Sequence, residues 1–510
     1  MLSVAEAAIH SGLERAAARF GNREAILAGD RRWSFRDLDE ASSAFARHLL
    51  GEGVQPGERV AVMASNRPEF VVAVYAVSKL GGAAVLLSPA WKAFEVDHAI
   101  ELTAPVHAVT DGDATALLEE LLGADQVTDL DDEQTLATAL GHSRSPLGPG
   151  PVDGSAESVL VFSSGTTGLP KAVRHTHASL VHATAHWRAA LGLGPEDRFQ
   201  VATPPSHILG LLNLLTAAEA GATVRLHRRF DLDEVLTRIE RERMTLEMAV
   251  APIALGMANH PRLEDYDLSS LRYIMWGATP VTPSVAETVT ARTGVRWLPA
   301  YGASELPVIA ANPVEEPAAW RLDSAGLPPA GVRLRAVDLD SGVPLDPGGV
   351  GEIQVLSASV MAGYLPDEAT SAAFADGWYR TGDVGWLEPE GWVHLTDRAK
   401  EMIKVSGFQV APAEIEAVLL GHPSVVDCAV FGVPDERAGE LPVAAVQLDP
   451  AQPVSVDELS DLVARSLATY KRLRDVIVVD SVPRLPSGKV LRRTLRDEWT
   501  PVLAARDSGN

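Results

Sequence analysis

From about residue 20 to residue 310 the chain alternates short, β-rich apolar runs with longer segments of helical periodicity. That alternation restricts the fold to helices layered on sheets of the α/β type. The runs Arg59 to Ala64, Ala83 to Leu87, Ser158 to Phe162, Leu271 to Trp276 and Arg296 to Pro299 predict strands. Between them, Pro68 to Leu80 and Asp231 to Met244 carry apolar residues at helical spacing, and Gly81 and Gly82 are placed to end the first of these helices. The Pro- and Gly-rich stretch 141–154, GHSRSPLGPGPVDG, predicts a loop or linker.

After about Gly326 the texture changes to short runs separated by Gly and Pro, which read as hairpins of a β-rich subdomain at about 326–396. Beyond Asp397 the order is helix (Pro412 to Leu420), strand (Val425 to Phe431), strand (Val443 to Gln447), helix (Val456 to Leu467) and strand (Val476 to Val479). The expected architecture is therefore α/β, with a large N-terminal domain of layered sheets over 1–396 and a small C-terminal α/β domain over 401–510.

Composition narrows the function classes. With 510 residues, 46% of them hydrophobic and 22% charged, the chain is long and apolar enough for about three compact units without metal or disulfide staples. A formal charge of -24 repels nucleic-acid backbones and anionic lipid alike, so any anionic substrate must be held by local donors. Cys428 is the sole cysteine, which excludes a disulfide framework or a cysteine-rich metal centre and fits a reducing cytoplasm. The first twenty residues have no basic start before an apolar core and read as a surface helix. The greasiest stretch, Ile208 to Val224, is broken by Asn213 and Glu219 and is too short to span a bilayer.

Three loops rich in Gly and hydroxyl residues follow three of the expected strands: SSGTTGLPK (Ser163 to Lys171), GATP (Gly277 to Pro280) and YGASE (Tyr301 to Glu305). Open α/β sheets bind ligands at the carboxyl ends of their strands, so these loops can share one crevice. The first has the make-up of a phosphate cradle: Gly165 and Gly168 for close backbone approach, Ser163, Ser164, Thr166 and Thr167 for hydroxyls, Lys171 for charge. It is not a Walker A loop, because Leu169 and Pro170 separate the second glycine from the lysine. Taken singly, the loop is also a polar turn, His207 a satisfied loop histidine, Glu305 a helix-start carboxylate, Asp383 a turn residue and Lys489 a solvated lysine.

Their fixed order changes that reading. SSGTTGLPK, YGASE, YRTGD and DRAKEMIKVSGFQVAPAEIE together resemble the superfamily of adenylate-forming enzymes, and the similarity runs from Trp33 to Lys489. That superfamily comprises acyl-CoA and aryl-CoA ligases, adenylation domains of peptide synthetases and beetle luciferases; the last segment looks most like coumarate-CoA ligases and luciferases.

The resemblance implies roles. Ser163, Ser164, Gly165, Thr166, Thr167, Gly168 and Lys171 would enclose the ATP phosphates. Gly277, Ala278, Thr279, Tyr301 and Gly302 would hold the adenine, Ser304 and Glu305 would face the phosphates and Mg²⁺, and Asp383 would accept from the ribose hydroxyls with Arg398 beside it. Lys489 would bridge the substrate carboxylate and the α-phosphate. Lys404, Gly407 and Gln409 would lie on the segment used for catalysis or thioester formation. Residues 397–400 would form the hinge of a mobile C-terminal domain, centred on Lys400.

His207 with Ser206, Trp276, Gly302 and Ala303 would line the acid pocket, where the bulk of Trp276 would make it short. The expected reaction is ATP-dependent activation of a small carboxylic acid with release of pyrophosphate, followed by transfer to CoA. Other acceptors that fit the same motifs are a carrier-protein thiol or an aromatic amine meeting adenylated nitrite. A non-catalytic nucleotide-binding scaffold is the reading of another class, and the joint presence of Lys171, Glu305, Asp383 and Lys489 argues against it.

Overall fold

The computed structural model describes residues 8–147, 153–163, 170–277, 281–398, 401–405, 408–435, 437–484 and 488–508. Within these, a seven-stranded sheet takes the spatial order Gly363–Leu365, Lys171–Thr176, Glu157–Ser163, Ala83–Leu86, Arg59–Met63, His107–Thr110 and Val127–Asp129. Its pairs are parallel except the two made by Lys171–Thr176, which runs antiparallel to both of its neighbours.

A second layer begins with Arg31–Ser34, Glu24–Ala28, Thr223–Leu226 and Arg198–Val201. It continues into Leu246–Ala249, Tyr273–Trp276, Trp297–Tyr301 and Ala310–Ala311, the two parts being joined where the Thr245 N–H donates to the Arg198 carbonyl at 2.8 Å. The helices Pro68–Leu80 and Ile208–Ala220 are buried on nearly every side, because one cluster of core side chains joins them to strands of both layers. The apolar stretch that begins at Ile208 is thus a core helix, and no helix among the described residues is long and apolar enough to cross a membrane.

Helix Pro68–Leu80 starts and stops where its residues dictate: Pro68 occupies the first turn, where a missing N–H costs nothing, and Gly81 at φ 82° ends it in the left-handed region. The expected helix in the first twenty residues is His10–Phe20, with Gly12, Leu13 and Ala16 buried.

The β-rich region forms a sheet of Arg333–Val337, Gly351–Leu356, Trp378–Leu387 and Phe374–Ala375, with Val393–Arg398 paired to Trp378–Leu387. One segment inside the expected span departs from it. Gly363–Leu365 leaves this sheet to pair with Lys171–Thr176. The C-terminal sheet runs Phe408–Val410, Ile403–Val405, Gly439–Leu448, Val425–Asp435, with Asp475–Val478 paired to Gly439–Leu448. Helices Pro412–Leu420 and Val456–Ser466 match the sequence expectation, whereas Arg492–Ser508 adds a helix the pattern did not suggest.

Candidate active site

The hairpin of Glu157–Ser163 and Lys171–Thr176 sets Ser163 opposite Lys171, and the Ser163 hydroxyl reaches the Lys171 carbonyl at 3.5 Å. Ser164, Gly165, Thr166, Thr167 and Gly168, like Ala278, Thr279, Lys400 and Gly407, lie outside the described residues. The ends of the expected phosphate loop are therefore fixed on adjacent strands of one sheet.

Tyr273–Trp276 and Trp297–Tyr301 run parallel, which brings Gly277 and Gly302 to the same end of the second layer. Gly302 is required there: a Cβ would lie 2.1 Å from the Pro307 carbonyl oxygen. The turn that follows closes on itself through Ala303 N–H to Leu306 O at 2.9 Å.

Tyr301 donates its hydroxyl to Asp383 Oδ2 at 2.5 Å, and Arg398 Nε sits 3.1 Å from Asp383 Oδ1. Asp383 is buried, and the Thr381 hydroxyl oxygen accepts its N–H at 3.0 Å. Burial raises the Asp383 carboxyl above its usual range, opposed by Arg398. Lys489 belongs to the same group: burial, then the charge of Arg398, lowers its ammonium below the usual lysine value, while Glu401 and Asp383 pull it back up. Tyr301 and Arg398 thus meet around one carboxylate, and the charge of that carboxylate reaches Lys489.

On the other side, Glu305 Oε1 accepts from the Tyr364 hydroxyl at 2.7 Å, and the Tyr364 ring carries Lys171 Nζ 5.3 Å from its centre. His175, fully buried and neutral because burial lowers it to about 4, donates Nε2–H to the Ser304 carbonyl at 2.7 Å. Tyr379 feels both Glu305 and Asp383, so the two carboxylates border one site. Tyr364 and His175 are not among the expected site residues; Tyr379 and Thr381 belong to the YRTGD motif, in which only Asp383 carries an expected role.

His207 precedes helix Ile208–Ala220, is half-buried, and is held neutral by that burial. The Ser206 hydroxyl is buried with no hydrogen-bond partner among the described residues. Lys404 stands apart from Lys489: it is exposed on Ile403–Val405, opposite the backbone of Gln409, and its N–H donates to Glu440 at 2.8 Å.

Trp276 is 1% exposed and packs against Trp297 at 5.1 Å between ring centres, in a cluster with Val235, Ile239 and Val289. Strand residues alternate between faces, so Ile274 and Trp276 point to this cluster while Tyr273 and Met275 join the central core with Leu306 and Val308. The indole is thus enclosed by apolar side chains of this cluster.

The sequence matches the family described as AMP-binding enzyme over residues 13–365, and the AMP-binding enzyme C-terminal domain over residues 414–489. It is similar to 4-coumarate-CoA ligase 2 of Nicotiana tabacum, at 32% identity over 96% of this chain and 94% of that one. The crystal structure of an anthranilate CoA ligase in complex with anthranoyl-AMP superposes with a TM-score of 0.92 at 25% identity, covering 98% of each chain. The o-succinylbenzoate CoA synthetase of Bacillus subtilis, in complex with its acyl-adenylate intermediate, gives a TM-score of 0.84 at 31% identity over 95% of this chain and 98% of that one.

Proposed function

The chain belongs to the AMP-binding enzyme family, and from that premise we propose that it is an AMP-forming ligase that activates an aryl carboxylic acid with ATP and transfers it to CoA. The observation that carries this reading is the meeting of Tyr301 and Arg398 on the Asp383 carboxylate. The relatives' substrates, coumarate, anthranilate and o-succinylbenzoate, favour an aryl acid.

In the first half-reaction a carboxylate oxygen attacks the α-phosphorus of ATP, the bond to the bridging oxygen breaks, and pyrophosphate leaves. Two anions must approach, so the reaction needs placed cations more than a base. The acid is already ionised at neutral pH. Lys489 supplies charge between the carboxylate and the α-phosphate, Lys171 and the Ser163 hairpin hold the outer phosphates, and Asp383 accepts from the ribose hydroxyls with Arg398 beside it. Tyr301, Gly277 and Gly302 border the adenine, while His207 and Ser206 face the acid.

No group of three or more metal-ligating side chains occurs among the described residues. Mg²⁺ shared with a triphosphate asks only one or two protein carboxylates, since phosphate and water complete its shell, and Glu305 fits that requirement. When bound there it would neutralise phosphate charge.

In the second half-reaction the CoA sulfur attacks the acyl carbon, loses its proton, and displaces AMP. Lys489 is buried within the field of Asp383 while Lys404 is exposed, which supports a turn of the C-terminal domain about Lys400 that would exchange one face for the other. Mg²⁺ dependence and a cytoplasmic location complete the proposal; the latter is supported by the single, buried Cys428 thiol.

The test is pyrophosphate release across a panel of carboxylic acids plus nitrite, each with and without CoA. An aryl acid should give pyrophosphate, and a thioester only when CoA is added. Turnover with nitrite and an aromatic amine, or with a carrier protein in place of CoA, would reassign the acceptor.

A further inference from the structure

We propose that Tyr364 is a positioning residue that holds Glu305 and Lys171 in a single phosphate-facing arrangement. The inference deepens the reading above and rests on its assignment of Glu305 to Mg²⁺.

Tyr364 reaches the site from an unexpected direction. It lies on Gly363–Leu365, the short strand that departs from the β-rich region to pair with Lys171–Thr176, with Tyr364 opposite Val173 and Leu365 opposite Ala172. The strand is thus fixed to the hairpin that carries the expected phosphate loop. Its backbone is held further: the Tyr364 N–H donates to the Thr370 hydroxyl at 2.8 Å, and the Ala362 N–H to the Arg174 carbonyl at 2.8 Å.

From this anchored strand two contacts reach Glu305. The Met361 N–H donates to the Glu305 carbonyl at 2.8 Å, and the Tyr364 hydroxyl donates to Glu305 Oε1 at 2.7 Å. A carboxylate without a partner rotates and offers either oxygen. With Oε1 engaged by a phenol on a fixed strand, the orientation of the other oxygen is set before any cation arrives, and less order is lost when it binds.

The same ring faces Lys171 Nζ at 5.3 Å, within cation-π range, so one side chain touches a proposed metal carboxylate and a proposed phosphate lysine.

The hydroxyl and the ring can be separated by substitution. Tyr364→Phe keeps the ring beside Lys171 and removes only the donor. In calorimetric titrations with a non-hydrolysable ATP analogue, the Mg²⁺ midpoint for binding should rise about fivefold to tenfold in Tyr364→Phe. Affinity for the metal-free analogue should hold in that variant. Tyr364→Leu should show the same midpoint shift and, in addition, about threefold weaker binding of the metal-free analogue, because the ring contact with Lys171 is gone.

Thioester formation from supplied acyl-adenylate should be unchanged in both variants, and thermal unfolding should confirm that Tyr364→Phe folds normally. An unchanged Mg²⁺ midpoint in Tyr364→Phe overturns the proposal. Glu305→Gln run in parallel locates the failure: if it moves the midpoint, Tyr364 alone has been misread, and if it does not, the assignment of Glu305 to the metal falls as well.

Discussion

Gly488 rests against Pro252, so close that a Cβ on the glycine would lie 2.8 Å from the proline Cδ. Pro252 is in the first turn of helix Ala251–Ala258, on the large domain, and Gly488 immediately precedes Lys489. Gly488 also has φ +85°, where a side chain is strained whatever the space. The turn that delivers Lys489 therefore docks through the one residue type that fits. Gly488→Ala should slow adenylation by about tenfold or more, from left-handed strain of roughly 1 to 2 kcal/mol and the added clash. Thioester formation from supplied acyl-adenylate should persist, because that step does not use this contact. Equal slowing of both steps would show that the glycine serves only local folding.

Tyr301 and Asp383 give a separate expectation. Tyr301→Phe removes the donor to a buried carboxylate, which costs about 1 to 2 kcal/mol where the acceptor is charged. The KM for ATP should rise about tenfold while the KM for the acid stays put, since the hydroxyl meets Asp383, the carboxylate proposed to accept from the ribose. Steady-state kinetics with each substrate varied in turn will show it; a matched rise in both constants would mean general distortion of the site.

For Trp276 the structure reverses the direction of the experiment. Trp276→Gly should cost about 3 to 5 kcal/mol of stability by opening a cavity beside Trp297, and the range of accepted acids should not change. Thermal unfolding and pyrophosphate release over a graded series of acids test both halves. A variant that folds well and accepts bulkier acids would return the indole to the pocket.

Glu247 should make stability depend on pH. It is 1% exposed, accepts from the Gln200 amide at 2.8 Å, and Gln200 in turn accepts from His227 Nε2 at 2.5 Å. Burial pushes the Glu247 carboxyl up to about 8 from its ordinary 4.5. Because the folded value is the higher one, the protonated form favours folding: its contribution is whole below about 4.5 and is lost as pH rises to about 8. Glu247→Gln cannot titrate, so across that window the variant should gain on the wild type by about 1.4 kcal/mol per pH unit at most. Denaturant unfolding at several pH values provides the comparison, and parallel stability profiles would show that Glu247 is not a buried acid.

Local rules made much of the fold readable. Helices Pro68–Leu80 and Pro412–Leu420 have the bounds that proline starts and glycine stops imply. The strand Gly363–Leu365 could not be assigned to its sheet, because three residues among Gly and Pro do not say which distant edge they will pair with. Motif order placed Tyr301, Asp383, Arg398 and Lys489 in one expected site, and the side chains of Tyr301, Asp383 and Arg398 do meet. Tyr364 and His175 escaped notice since each acts through a contact between strands far apart in sequence. The surroundings of Trp276 were not legible for a simpler reason: adjacency to the adenine loop in sequence says nothing about which face of the strand a side chain takes.

The central claim is that Lys489 and Lys404 serve different half-reactions on opposite faces of one moving domain. The two steps should be timed separately in Lys489→Ala and Lys404→Ala: pyrophosphate release from acid and ATP, and thioester formation from supplied acyl-adenylate and CoA. Lys489→Ala should lose about 10²-fold in the first step, roughly 3 kcal/mol for a charged donor at the transition state, and keep the second. Lys404→Ala should keep the first and lose in the second. If both variants lose both steps to the same degree, the two lysines share one site and the account of a domain that turns between steps is wrong.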